Sequence, residues 1–443
     1  MPHKNFLSLF ILLSVLASPD ALSANVVQNH SFKIKGELHS QLSLVSQQKD
    51  FRRNLDVGKS LSGNDQLYNS GSLANNCTLK LLYANRAIKS LEYGASVKID
   101  LSTSKDITNI GDKISSEANI YIRGDFGRIE MGTTSPVSSL IAINSYSFAR
   151  ATGGLNGDWN IWLRNGGVIR DSSGKNSYSI SNNYITVPQL TAGLDYNANN
   201  AAKVNYFSPK FNGFLFGLSF TPDSKVKGTT NQVARISKDS YGGYRNIWQF
   251  AASYQKLINK VRLITTLTNE FGKAKKVSYY NDINNLHFNQ SGQGSSTRYD
   301  LKAYQISGSV DYKGLVFTTS YGYNGKSGSI RSDQNSNKNS QYWSFSSAHS
   351  TDTYGISLNY MQSKKLGTIS SINDSNLVKF NEKEYNRFKA LSIGADYLLM
   401  PGFTQYAEVT KFRFLKNQNF DNYSDKVKFN NGVVILTGIK LNF

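Results

Sequence analysis

The residues that could do chemistry here are mostly charged side chains set two apart. Past residue 24 the chain has four histidines, His30, His39, His287 and His349, and none stands at the H-x-x-x-H spacing that brings two imidazoles onto one metal. His287 and His349 are expected in separate long loops. Cys77 is the only cysteine, so there is no disulfide framework and no resolving thiol. Gly153-Gly154 and Gly166-Gly167 lack the Lys-Ser/Thr that completes a phosphate loop. Charge does recur at every second residue, as in Lys33, Lys35 and Glu37, Lys98 and Asp100, and Arg128 and Glu130. Lys80, Arg123, Lys203 and Arg262 sit in similar settings. Such rows break no bond, but they line a wet surface and sort solutes by sign. The expectation is no enzyme, no cofactor and no metal.

The elements that must carry these rows have a period of two. From Phe32, apolar residues (Phe32, Ile34, Leu38, Leu42, Leu44) fall on one parity and Lys33, Lys35, Glu37, His39 and Gln41 on the other, which is a strand with one greasy and one wet face. The pattern repeats along the chain, at 91–100, 120–131, 214–220, 248–254, 261–267, 315–321, 354–360, 391–397 and 433–443 among others, and no comparable stretch has the 3.6-residue period of a helix. Of 443 residues 39% are hydrophobic and 12% aromatic, too many for disorder, and the mean hydropathy is −0.40. Helical membrane spans need apolar runs of about 18 residues. Past the first twenty residues the most apolar stretch, Phe211–Phe220, is broken by Asn212, Gly213, Gly217 and Ser219. The start of the chain reads as a signal peptide over residues 1–24. Lys4 precedes the apolar run Phe6–Ala17, and small residues follow, with cleavage expected after Ser23 or Ala24. Residues 25–443 then form one domain.

Spacing between strands carries the topology. Short links are expected at 84–89, 124–127, 207–213, 255–260, 311–314, 361–367 and 397–402. They alternate with long polar segments at about 47–76, 103–117, 135–200, 222–246, 273–300, 324–351, 372–386 and 415–431. Seven turns and eight loops join about 16 strands. The weak pattern near 366–371, and Glu408 sharing parity with Tyr406 and Phe412, leave 14 or 18 strands open. The fold class expected is all-β, a transmembrane antiparallel β-barrel with short periplasmic turns and long extracellular loops. In lipid an open sheet edge has no partner, so the sheet must close. A soluble sandwich or propeller fits less well. Aromatics gather at strand ends (Tyr83, Tyr93, Trp248, Tyr254, Tyr321, Tyr354, Tyr360), as an interfacial girdle requires, and long cations occupy the wet faces.

Three segments resemble the Gram-negative general porin family. Asn119–Gly132, NIYIRGDFGRIEMG, is similar to the family's strand, Gly-x-Phe-Gly turn and strand that precede its third loop. Asn205–Phe220, NYFSPKFNGFLFGLSF, is similar to a stretch around a periplasmic turn. Gly432–Phe443 resembles the last strand with its terminal Phe, which the family's assembly machinery reads. The sequence departs from the family at Thr133, where Arg commonly follows the glycine, and it lacks the Pro-Glu-Phe-Gly-Gly loop motif of the enterobacterial branch. The resemblance implies a homotrimer in the outer membrane and a water-filled channel for passive diffusion of small hydrophilic solutes and ions, narrowed by a constriction loop at about 135–200.

In such a barrel the wet parity faces the lumen. The residues expected to line it include Lys33, Lys35, Glu37, Lys80, Lys98, Asp100, Arg123, Arg128, Glu130, Lys203 and Arg262. With Lys440, Glu92 and Asp396 these make nine cations against five acids. The loop would add Arg150, Arg164 and Arg170 against Asp158 and Asp171. A mild preference for anions is one expectation, and a pore that barely discriminates because its cations are paired is the other. A specific sugar or phosphate channel, to which Tyr121, Trp159 and Trp162 would contribute aromatics, and an adhesin acting through its loops stay open. The net charge is +20, and part of it falls in the loops at Lys225, Lys227, Arg235, Lys238, Arg245, Lys273, Lys275, Lys276, Arg331, Lys338, Lys379 and Lys383. That crown suits the lipid bilayer's outer face and its anionic lipopolysaccharide, and behind a signal peptide it does not suggest nucleic acid.

Overall fold

Alternating strands bury only one face each, and this chain pairs the edges of its main sheet by closing it into a barrel. The structure, a computed structural model, describes residues 29–48, 70–88, 90–102, 117–163, 198–225, 243–275, 299–327, 339–366, 385–415 and 429–443, with short pieces at 167–170, 177–180, 189, 192–194, 277–278 and 295–296. Sixteen antiparallel strands form a closed barrel in chain order. They are β1 (Asn29–Gln47), β2 (Gly71–Ile88), β3 (Leu91–Ser102), β4 (Glu117–Gly124), β5 (Gly127–Thr134), β6 (Ala201–Phe207), β7 (Phe214–Asp223) and β8 (Tyr244–Ile258), followed by β9 (Val261–Ala274), β10 (Leu301–Tyr312), β11 (Leu315–Gly325), β12 (Ser340–Ser350), β13 (Tyr354–Leu366), β14 (Tyr385–Met400), β15 (Phe403–Leu415) and β16 (Phe429–Asn442). Two small hairpins lie outside the barrel sheet.

β1 closes the barrel against β16, from Glu37↔Asn442 to Gln47↔Gly432. Past the end of β16, Phe443 exchanges backbone hydrogen bonds with Gly36, at 2.8 and 3.0 Å. The Phe443 ring lies where a Cβ on Gly36 would stand, so only glycine fits beneath the terminal aromatic. The seven turns at one end are tight. Asn212-Gly213 and Lys313-Gly314 have positive φ at both residues, the conformation whose twist matches a hairpin.

The wall faces lipid with the expected parity: Phe32, Ile34, Leu38, Leu42 and Leu44 of β1 are all exposed. Aromatics pair across neighbouring strands on this outer surface, Phe214 with Tyr254 at 4.5 Å, Phe220 with Trp248 at 4.6 Å and Trp343 with Tyr360 at 5.0 Å between ring centres.

Two expectations about the strands need correction. Residues 340–350, placed in a loop by the sequence pattern, form β12, and 361–367 is no turn, because β13 runs on to Leu366 and the link falls at 351–353. The inward side chains of β12 are mostly serines, which read as loop composition although Trp343 and Phe345 stand outward between them. The barrel passes directly from β13 to β14, so the strand expected near 366–371, which past Leu366 lies outside the described residues, is not among the sixteen of the wall, and β12 makes up the count. Consequently His349 lies at the turn end beside Tyr354 and not in an outer loop, while His287 lies outside the described residues, as do residues 1–24, where a signal peptide is expected.

Glu408 needs no bulge. Tyr406, Glu408 and Phe412 all point inward, each at most 2% exposed, because this part of the lumen wall is a packing surface. Trp159 stacks on Phe388 at 5.8 Å and Phe412 at 6.1 Å, and Leu155, Tyr342, Met361, Tyr406 and Leu436 complete a hydrophobic core inside the barrel.

Candidate functional site

The segment after β5 explains that inner core. It leaves the wall at Ser135 and carries two short helices, α1 (Val137–Ile141) and α2 (Trp159–Trp162), with single 3-10 turns at Ser145–Ser147 and Gly154–Asn156. α1 packs by Val137 and Ile141 against Ala251. The Val137 amide donates to Ser219 at 2.9 Å, and Ser138 donates to Glu270 at 3.1 Å. The Ile143 amide reaches Thr266 and its carbonyl accepts from Gln305. Arg150 clamps Asp396 through Nε and Nη2, at 3.0 and 2.6 Å. Gly153 and Gly154, both at positive φ, then turn the chain so that the Thr152 and Gly154 amides donate to one oxygen of Glu408, at 3.3 and 3.2 Å. Lys440 donates to the Ala151 carbonyl. Last, Gln41 donates to Asp158 at 3.0 Å and accepts from Trp162 at 2.8 Å.

The loop therefore follows the inner wall from β7 round to β16 and β1, and it engages three of that wall's acids. Glu270, Asp396 and Glu408 all hold the loop. The inner faces of β1–β5 are where it makes fewest contacts, and most of the residues expected to line a lumen lie there. Register sets them in rows across the strands. Lys35, Lys80, Lys98 and Glu117 stand side by side, as do Glu37, Thr78 and Asp100, and Arg86, Glu92, Arg123 and Arg128.

Part of this charge is paired. Lys98 meets Asp100 at 3.3 Å, Arg128 meets Glu130 at 2.7 Å and Arg86 meets Glu92 at 3.9 Å. Among the described residues Lys33, Lys35, Lys80 and Arg123 form no ion pair. Lys33, Lys35 and Arg123 are exposed and Lys80 half-exposed. Arg262 pairs with Asp311 at 3.3 Å near the turn end. Lys203 is on the inner parity but is 3% exposed and donates to the carbonyls of Thr134 and Ala201, so it ties down the root of the loop and offers the lumen nothing. Arg150 is likewise a loop anchor. Arg164 lies outside the described residues, and Arg170 is placed only as the end of a short hairpin strand paired with Ser177.

Facing the open wall, the loop presents Asp158 and an exposed Tyr146. Partial desolvation inside the barrel, and then the nearby charges of Glu37 and Asp158, push the Tyr146 phenol above its ordinary range, so it stays neutral at neutral pH. Sequence reasoning missed this residue. It also placed the tryptophans by type alone: Trp159 is fully buried, Trp162 is bonded to Gln41, and Tyr121 donates to Glu92 at 3.0 Å beneath the Arg128 guanidinium. No line of free aromatics runs along the described wall.

The profile of the Gram-negative porin family matches residues 12–417. Uncharacterised proteins of Rickettsia prowazekii and Rickettsia typhi are 22% and 21% identical to the chain, each match covering 74% of this chain and 76% of the relative. Among solved structures, an anion-selective porin from Comamonas acidovorans is similar with a TM-score of 0.52 and 11% identity, over 94% of this chain and 100% of that one. A loop-deletion mutant of an outer-membrane protein of Vibrio cholerae also scores 0.52 at 11% identity, covering 94% and 99%. At that identity the structures speak for the fold alone, a sixteen-stranded outer-membrane barrel, and the profile match over nearly the whole sequence carries the assignment: the chain belongs to the Gram-negative porin family.

Proposed function

We propose that the protein is a water-filled outer-membrane channel, without enzymatic activity, through which small hydrophilic solutes and ions diffuse passively with a mild preference for anions. One observation supports this above the others: the internal loop takes up Glu270, Asp396 and Glu408, leaving the open inner wall of β1–β5 with the exposed cations Lys33, Lys35 and Arg123 and the half-exposed Lys80. Inward charge sets the sign a channel favours. The partial pairing on that wall argues for a mild bias and against a strong one. A dedicated aromatic path for sugars is disfavoured because Tyr121, Trp159 and Trp162 are engaged in packing and hydrogen bonds.

Strand length supports the homotrimer that the family resemblance implies. β4, β5 and β6 have eight, eight and seven residues, whereas a tilted membrane strand needs about 9–11. Lipid covers such a low wall poorly, and apart from Tyr206 its outward apolar residues (Ala118, Ile120, Ile122, Ile129, Met131 and Val204) are not aromatic, in contrast to the aromatics that crowd β7–β13. A second copy of the chain suits this face better than lipid does. The signal peptide expected at 1–24 accounts for export.

The test is insertion of the purified protein into a planar bilayer. Stepwise conductance increases support a channel. Intact barrels that insert without steps would leave the adhesin reading in its place.

A further inference from the structure

Register places two rows of unlike charge next to one another on the open lumen wall. Lys35, Lys80 and Lys98 stand across β1–β3 in one row, and Glu37, Thr78 and Asp100 in the next, two residues toward the loop end. Rows so spaced lie about 7 Å apart along the strands. Side chains can close that gap, since Lys98 already meets Asp100 at 3.3 Å. Among the described residues Lys35, Lys80 and Glu37 form no ion pair, so a cationic edge and an acidic edge are both left open to solute.

The internal loop covers this seam from the other side. Tyr146 is 66% exposed yet held in place: the Asn144 side chain accepts its amide at 3.0 Å, and its ring lies against Gly153, where a Cβ would collide with it. The phenol is near enough to Glu37, Asp158 and Lys98 to feel all three charges, which sets it over the boundary between the two rows. Ile161, 68% exposed, adds an apolar side chain just past Asp158 on the same loop.

A simple anion here meets the lysines but is repelled by Glu37 and Asp158, and a simple cation faces the converse. A solute carrying both charges a short distance apart satisfies both rows, and an apolar group on it covers the Tyr146 ring. We propose that this stretch of the lumen binds zwitterionic α-amino acids with apolar side chains, the carboxylate on Lys35 and Lys80, the ammonium on Glu37 and the side chain against Tyr146. The inference deepens the channel reading above and rests on it, because the site is reached only through a lumen that admits solutes.

The experiment is a saturation-transfer NMR titration of the detergent-solubilised protein with four solutes: L-phenylalanine; glycine, which lacks the side chain; phenylalaninamide, which lacks the carboxylate; and 3-phenylpropanoate, which lacks the ammonium. L-Phenylalanine should bind the parent best, and each of the others about fivefold more weakly, the loss expected for one exposed ion pair or one ring contact. Lys35→Gln/Lys80→Gln should weaken phenylalanine about fivefold without weakening phenylalaninamide, and Glu37→Gln should weaken it as much without weakening 3-phenylpropanoate. Tyr146→Ala should weaken phenylalanine and leave glycine unchanged, while Tyr146→Phe, which keeps the ring, and Lys256→Gln at the turn end should bind as the parent does. Binding of 3-phenylpropanoate or phenylalaninamide as tight as that of phenylalanine, no phenylalanine binding to the folded parent, or equal binding to parent and Tyr146→Ala overturns the proposal. Heat-modifiable migration checks that each variant folds, and the solute series on the parent decides the matter where one does not. Conductance steps are read separately in a planar bilayer: a channel that binds no phenylalanine overturns this inference alone, and binding to a barrel that never conducts supports the site while the channel reading fails.

Discussion

At the residue scale, the exposed and half-exposed cations on β1–β4 are separated from the ones that hold the structure together. Lys35 and Lys80 stand in one row with Lys98, whose charge Asp100 offsets. Lys35→Glu/Lys80→Glu should therefore reverse the sign of the zero-current potential under a salt gradient, while Lys203→Gln, at a buried anchor, should leave selectivity alone. Glu408 acts differently. Its Ala variant strips the acceptor from two buried amides, a loss of about 1–3 kcal/mol each. Open-channel current noise should rise, with Glu408→Gln between parent and Ala because an amide oxygen still accepts. The parity of these residues was legible because a strand's period of two separates wet from greasy at every step. Their roles were not, because whether a lysine meets an acid, a backbone carbonyl or open lumen depends on which strand lies next to it and in what register.

At the element scale the internal loop is a packed structure over its described residues. It is held by Trp159 against Phe388 and Phe412, by the Arg150–Asp396 pair and by the Gly153-Gly154 turn over Glu408. Trp159→Ala should cost the loop about 3–5 kcal/mol of docking, read as larger and fluctuating single-channel conductance, while heat modifiability persists because the sheet closes without the loop. The inner apolar patch on β14 and β15 confused the sequence pattern, since Tyr406, Phe412 and Glu408 share a face that a bare barrel would present to water. β12 was missed for a related reason: its inward serines look like loop composition until a neighbour supplies the ladder. Pattern reads one strand at a time, and these two places are decided by what packs on top.

At the scale of the whole molecule, the cations among the described residues divide among three tasks: loop anchors inside the barrel, an open basic wall in the lumen and an outward-facing cluster on β13–β15. The low wall of β4–β6 predicts association, so Ile120→Arg, on its outward face, should convert a slowly migrating oligomer into a monomer band on semi-native gels while keeping the barrel's own heat shift. Strand number and closure were readable from the alternation of turns and loops; the distribution of charge among those tasks was not, because it follows from the path of one loop across ten or so strands. The measurement that bears most directly on the account is the zero-current potential of the parent channel in a planar bilayer under a tenfold KCl gradient. An open basic wall predicts a dilute side that is modestly negative, as anions cross ahead of potassium, and a clearly positive dilute side would contradict it.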